Sequence, residues 1–136
     1  MNQALFVGLG VQNDSDLITN RNIINPAKMA ENEAVTLIAI LSPKPGKKER
    51  VVELMRKIVD GVIANEMGAL QYEMFEDLKT HEICFVEKYA DGAAQKFHEN
   101  TQYFKESIGA LVQEDLLSKD YELRFCKTLA GFQVRR

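Results

Sequence analysis

The chain has 136 residues, 46% of them hydrophobic and 27% charged, enough for one domain with a single buried core and too few for two. Its 20 acidic and 17 basic residues leave a formal net charge of -3, which gives no electrostatic reason to expect a nucleic acid or an anionic membrane as partner. The longest uncharged apolar runs, Ala4–Val11 and Ala34–Leu41, are about eight residues each, well short of the ~20 that a membrane helix needs. No basic segment precedes the first run and no A-x-A site follows it, so a secretory signal is not expected and the cytoplasm is the expected location.

Residues 1–33 are read as an N-terminal arm or linker. After Leu5–Val11, the segment Gln12–Glu33 is rich in Asn and Asp, carries Ser15 and Pro26, and has no sustained period. The domain proper is expected over 34–136, ending in a short C-terminal tail, and deletion of Met1–Asn32 is expected to leave it folded. Its first element, Ala34–Leu41, is an uncharged β-branched run stopped by Ser42-Pro43-Lys44-Pro45-Gly46, which suits a central strand buried on both faces. Val51, Leu54, Met55, Ile58, Val62 and Ile63 then recur at helical spacing between Lys47 and about Glu66, with Gly68 placed to stop the helix. The basic cluster Lys44, Lys47, Lys48 and Arg50 at its start reads as a solvated face, with a phosphate or acidic substrate as the alternative.

Ala69–Glu76 alternates Leu70, Tyr72 and Met74 against Gln71, Glu73 and Phe75. A polar turn over Asp77–His81 leads into a second strand over His81–Tyr89, and the pair reads as a hairpin. Asp91 is placed to cap a helix running through Phe97 and His98; Tyr103, Phe104, Ile108, Leu111 and Val112 continue its apolar stripe after a kink near Asn100. The last strand, Asp120–Leu129, alternates Tyr121, Leu123 and Phe125 against Glu122, Arg124 and Cys126. Cys84 and Cys126 lie in alternating segments where a thiol packs as a small hydrophobe, a disulfide being the alternative. His81 and His98 are far apart, and no C-x-x-C, H-x-x-x-H or H-E-x-x-H spacing presets a coordination shell, so no metal is expected.

The order β-α-β-β-α-β predicts an α+β fold, a ferredoxin-like plait in which two helices cover one face of an antiparallel sheet. Phe75, Cys84, Phe85, Val86 and Cys126 occupy both parities of their strands, so the second face also needs cover. Sheet-to-sheet packing of two copies into a dimeric αβ-barrel is the expected solution.

Over roughly Ala34–Leu129 the chain resembles the antibiotic biosynthesis monooxygenase (ABM) domain family. The resemblance rests on the Ser-Pro-Lys-Pro-Gly turn, on Gly68-Ala69-Leu70-Gln71-Tyr72-Glu73, on Phe85-Val86-Glu87-Lys88-Tyr89, and on Ala94, Phe97-His98 and Thr101. It implies a homodimer whose monooxygenase members oxidise aromatic polyketide phenols or anthrones with O2 and no metal, haem or flavin. An electron-rich phenolate can itself reduce dioxygen, so the protein needs only a dry pocket and a group to take the proton. Within that resemblance His98 is the candidate base, because an imidazole titrates near neutral pH unless perturbed. Tyr72 and Tyr103 are candidate donors to substrate oxygens, while Phe97, Phe104, Tyr89 and Glu87 complete a substrate-binding set.

Each residue also has a structural reading. His98 can hydrogen-bond a neighbouring strand, Tyr72 and Tyr89 can fill the core or a dimer interface, Phe97 and Phe104 can be core, and Glu87 can pair with Arg124. As a pocket base, His98 is expected to tolerate replacement by Ala within about 1 kcal/mol. The haem-degrading branch of the superfamily uses a Trp and a later His on the second helix, and this chain has no Trp and no His beyond His98. Two other readings stay open: an isomerase of a small oxygenated or phosphorylated carbonyl metabolite, and a noncatalytic dimeric binding or accessory protein. A Lys or Arg cluster in the pocket would favour the isomerase.

Overall fold

The computed structural model describes residues 33–135; all of the expected arm except Glu33 lies outside them. The elements are β1 (Val35–Leu41), α1 (Lys48–Asn65), β2 (Ala69–Glu76), β3 (Ile83–Tyr89), α2 (Gly92–Glu99), α3 (Gln102–Gln113) and β4 (Glu122–Cys126). The four strands form one sheet in the order β2-β3-β1-β4, every neighbouring pair antiparallel, and the fold is a ferredoxin-like plait. No helix among the described residues is long and apolar enough to cross a membrane.

The sheet has two different faces because strand side chains alternate. Ala39 pairs with Phe85 on one side and Leu123 on the other, and Glu87 pairs with Leu37 and Tyr72. These residues therefore share the face on which the helices pack, and along β1 and β3 every second residue, from Val35 to Leu41 and from Ile83 to Tyr89, is buried. Thr36, Ile38 and Ile40 of β1, with Cys84, Val86 and Lys88 of β3, point to the other face and are half-buried. The expectation that β1 is buried on both faces is thus met on one.

α1 lays Val51, Leu54, Met55, Ile58 and Val62 into the core, the stripe expected from their spacing. Ile63 is one residue round from that stripe and is 75% exposed. Gly68 does not end the helix. Glu66 caps it, its backbone N–H bonding Val62 O at 2.9 Å, and Gly68 instead lets the chain pass against α2: a Cβ there would meet Ala94 Cβ at 2.7 Å.

The expected kink near Asn100 is a break between two helices. The Asp91 carboxylate accepts from Ala94 N at 2.8 Å and caps α2. The Thr101 hydroxyl accepts from Phe104 N at 3.3 Å, capping α3, while donating to His98 O at 2.8 Å. One side chain thus closes one helix and opens the next, leaving His98 in the last turn of α2.

β3 starts at Ile83 rather than His81 because His81 has φ 62°, a left-handed backbone that no strand accommodates. β4 is shorter than its alternating pattern, and Leu129, Phe132 and Val134 beyond it are exposed. Leu116 and Leu117, buried after α3, complete the core; the bonds from Lys44 N to Leu116 O and Ser118 N to Ser42 O, both 2.8 Å, tie this turn to the one after β1.

Candidate functional site

A cavity partly open to solvent lies between the helix-facing side of the sheet and the three helices. Leu37, Ala39, Leu41 and Phe85 form its apolar sheet wall, Met55, Ile58, Phe104 and Ile108 its helix wall, and Tyr72, Glu87, Gln95, His98, Glu99 and Tyr121 its polar complement. No Lys or Arg among the described residues lines it. The fold accounts for this composition: the hairpin puts Tyr72 opposite Glu87, and the end of α2 sets His98 above both.

The His98 ring lies among aromatic rings, with centroids 5.0 Å from Tyr72, 5.6 Å from Tyr89 and 4.9 Å from Phe104, the last edge-on. It is 2% exposed. Nδ1 is 3.0 and 3.1 Å from the two carboxylate oxygens of Glu66, whereas Nε2 is buried with no hydrogen-bond partner among the described residues. Burying a polar nitrogen without a partner costs about 1–3 kcal/mol, so this atom has hydrogen-bonding capacity that the described residues do not use. The bond to Glu66 replaces the expected one to a neighbouring strand.

Glu66 is buried at the end of α1, and its Oε2 also accepts the Tyr103 hydroxyl at 2.5 Å. Burial opposes its ionisation, but the hydrogen bonds from His98 and Tyr103 outweigh it, so its carboxyl titrates below the ordinary range. Tyr103 is pushed up to about 12, by burial first and then by its bond to Glu66; it remains a phenol at neutral pH. Its ring lies so close to α1 that a Cβ on Gly61 would meet it at 2.5 Å.

Glu87 is 5% exposed and accepts the Tyr89 hydroxyl at 2.5 Å. It has no bond to Arg124, which pairs instead with Glu122 at 2.8 Å; the partner expected from sequence is wrong because β4 turns Arg124 to the opposite face, beside Ile38. Burial pushes the Glu87 carboxyl up to about 7, partly offset by the neighbouring His98 ring and the Tyr89 bond. Tyr72, Tyr89 and Tyr121 are likewise raised, chiefly by burial and then by nearby carboxylates. The cavity therefore holds phenols that stay protonated and one carboxyl that exchanges its proton near neutrality.

Of the sequence-derived set, His98, Tyr72, Glu87 and Phe104 come together on the cavity. Tyr89 stands behind them, its ring against His98 and its hydroxyl on Glu87. Tyr103 does not line the cavity; its hydroxyl goes to Glu66. Phe97 is 56% exposed on the outer side of α2, neither core nor pocket wall, because its neighbour His98 takes the inward position.

Sequence reading missed Glu66, Gln95, Glu99 and Tyr121. For Glu66 the signal was present: Leu54, Ile58, Val62 and Glu66 follow at intervals of four, so the acid continues the buried stripe. Gln95 is 2% exposed and donates to Glu99 at 2.8 Å, one turn before His98.

The basic cluster at the start of α1 is a surface of ion pairs, Lys44 with Asp115 at 2.5 Å, Lys48 with Glu76 at 3.0 Å and Arg50 with Glu114 at 2.7 Å. Cys84 and Cys126 are free thiols on opposite sides of β1, paired with Ile40 and Thr36. Among the described residues no group of three His, Cys, Asp or Glu side chains is arranged to hold a metal ion.

A family model described as antibiotic biosynthesis monooxygenase matches residues 34–110. The Bacillus subtilis strain 168 protein YcnE, a proposed monooxygenase, is 33% identical over 72 residues, which cover 52% of this chain and 75% of that one. The crystal structure of PA3566 from Pseudomonas aeruginosa superposes with a TM-score of 0.62 at 30% identity, over 74% of this chain and 98% of that one. A proposed antibiotic biosynthesis monooxygenase of Caulobacter crescentus CB15 superposes with a TM-score of 0.67 at 20% identity, over 76% and 96% of the two chains, a likeness of fold. With more than half its length matched by the family model, the chain belongs to the antibiotic biosynthesis monooxygenase family.

Proposed function

We propose that the protein is a cofactor-independent monooxygenase that oxidises a small aromatic substrate, a phenol, anthrone or quinol, with O2. The observation that carries the reading is the bare, buried Nε2 of His98 at a cavity walled by aromatic and aliphatic side chains. Such a nitrogen accepts a proton from an acidic O–H or benzylic C–H held against it. The resulting phenolate or enolate is electron-rich enough to reduce O2, and a substrate seated against the apolar walls displaces water from around that charge.

For an anthrone, a single O2 oxidises the methylene carbon: both of its C–H bonds break, one oxygen atom becomes the new carbonyl, and the other leaves as water with the two hydrogens. The substrate proton goes to His98 Nε2 and one electron passes from the carbanion to O2. The two radicals combine into a peroxide anion; it takes back a proton and loses water across the C–H and O–O bonds to leave the carbonyl. Tyr72 and the protonated form of Glu87 are the candidate donors to the substrate's oxygens.

The lining supports this reading over the isomerase of a phosphorylated metabolite. A phosphate needs cationic partners, whereas Glu87 and Glu99 line the cavity and no described Lys or Arg does. The functional unit in this reading is a homodimer. Ile38, Ile40, Cys84 and Val86 are half-buried on the sheet face away from the helices, and Phe75 beside them is 46% exposed. A second copy packed sheet to sheet buries that face by two-fold symmetry.

The testing experiment is an oxygen-electrode screen of anthrones and hydroquinones against the wild type and His98→Asn. Substrate-dependent O2 uptake that falls in the variant supports the reading. No uptake above the spontaneous rate with any such substrate contradicts it.

A further inference from the structure

Taking His98 as the base, as proposed above, we propose that Glu66 is the positioning residue of the site: it holds the imidazole in the tautomer whose free lone pair faces the cavity, while Tyr103 anchors Glu66 and does not touch substrate. The geometry carries this step by step. An ionised carboxylate only accepts hydrogen bonds, so at 3.0 and 3.1 Å from both Glu66 oxygens His98 Nδ1 must carry a proton. A neutral imidazole has one N–H, which leaves Nε2 as the lone-pair nitrogen. That is the buried atom without a partner among the described residues. In the other tautomer Nε2 would present a hydrogen to the substrate and could not take its proton.

The carboxylate is itself held in place. Tyr103 donates to Glu66 Oε2 at 2.5 Å, and its ring is fixed against the α1 backbone at Gly61, where any side chain would collide with it. Glu66 caps α1 and His98 ends α2, so the bond spans two helix ends at 6% and 2% residue exposure. Little motion is available to misalign it. When Nε2 takes a substrate proton, the imidazolium keeps Nδ1–H on Glu66, whose negative charge offsets the new positive one without a further proton transfer.

The test uses the full chain. Two histidines are present, so uniformly 15N-labelled His81→Asn leaves His98 as the single imidazole in long-range 1H–15N correlation spectra. With the ring neutral, a protonated Nδ1 and an unprotonated Nε2 are expected; a dominant Nε2–H tautomer overturns the proposal. In Glu66→Gln, whose amide both donates and accepts, the Nε2–H share rises and kcat falls at least tenfold with KM little changed. An unaltered tautomer and kcat in a folded Glu66→Gln would also overturn it, and if that variant does not fold, the wild-type tautomer decides alone. Tyr103→Phe keeps KM within about twofold; a tenfold rise in KM with kcat unchanged would place Tyr103 on the substrate and contradict its assignment here. The tautomer is read without substrate, so failure of every phenol to support O2 uptake would overturn the monooxygenase reading and leave the spectroscopic result standing.

Discussion

Tyr89 and Glu87, two residues apart on one strand and both buried on its helix-facing side, share a hydrogen bond of 2.5 Å from phenol to carboxyl. The bond does not make Glu87 a strong acid. Burial dominates and lifts its titration from the ordinary 4.5 to about 7, so the folded chain keeps a proton that the unfolded chain has lost. Stability from this group therefore falls as pH rises from about 4.5 through 7 and is flat above, by at most about 3 kcal/mol.

Glu87→Gln removes that titration. Urea unfolding at pH 5 and pH 8 should show the variant gaining on the wild type by about 1–3 kcal/mol over that interval. Parallel pH dependence in the two proteins would mean that Glu87 is ionised at neutrality. Glu66 contributes with the opposite sign: its lowered titration adds stability above the ordinary carboxylate range that is lost as pH falls through its folded value.

His98→Ala should be far from silent. The expectation of a change within about 1 kcal/mol treats His98 as a pocket residue with room around it, whereas the imidazole is the buried partner of Glu66. Removing it strands a buried carboxylate and should cost about 2–4 kcal/mol. His98→Asn puts an amide N–H near the Nδ1 position and should recover at least half of that loss in chemical denaturation. Equal destabilisation by Ala and Asn would show that ring packing, not the Glu66 bond, holds α2.

Gly61→Ala tests the contact that fixes Tyr103. In an exposed helix the change is favourable by ~1 kcal/mol, but here the new methyl would sit 2.5–2.7 Å from the ring. Overpacking of that kind costs about 1–3 kcal/mol, and the net effect should be destabilising. In a Tyr103→Ala background the same substitution should become neutral or stabilising, a sign change that a double-mutant cycle reads directly. Simple additivity would place the ring elsewhere in solution.

The open sheet face makes its own prediction. Sedimentation at micromolar concentration should give twice the chain mass, and Val86→Lys, which puts a charge at the centre of that face opposite Ile38, should shift the protein to monomers while leaving its circular dichroism intact. A wild type that runs as a monomer would rule out the barrel.

The layout of the plait was legible because it depends on periodicity. Val51, Leu54, Met55, Ile58 and Val62 announce α1 by spacing, and β2 alternates from Gln71 to Phe75 as read, whereas a bulge between Ala69 and Gln71 takes Leu70 off the Tyr72 and Met74 face and leaves it exposed. What sequence spacing does not carry is which side chains meet across elements. Gly68 looks like a helix stop because glycine often is one, and only the approach of Ala94 shows its other use. His98 stood out as a chemical residue, yet its partner is 32 positions away; spacing places Glu66 on the buried stripe of α1 but does not say which side chain it meets there. Tyr103 was drawn to the substrate by its chemistry, and packing on Gly61 turns it to Glu66. Phe97 and His98 are neighbours on one helix, and only the direction of the helix face decides that one is exposed and the other buried.

The central claim is that His98 Nε2 takes the substrate's proton and that the electrons released reduce O2. It is tested most directly by turnover of an anthrone under 18O2 with the wild type and with folded His98→Asn. The account predicts one O2 consumed and one labelled carbonyl oxygen formed per substrate, with a rate about 10²–10⁴ lower in the variant. Unlabelled product, or equal rates for wild type and His98→Asn, would contradict it.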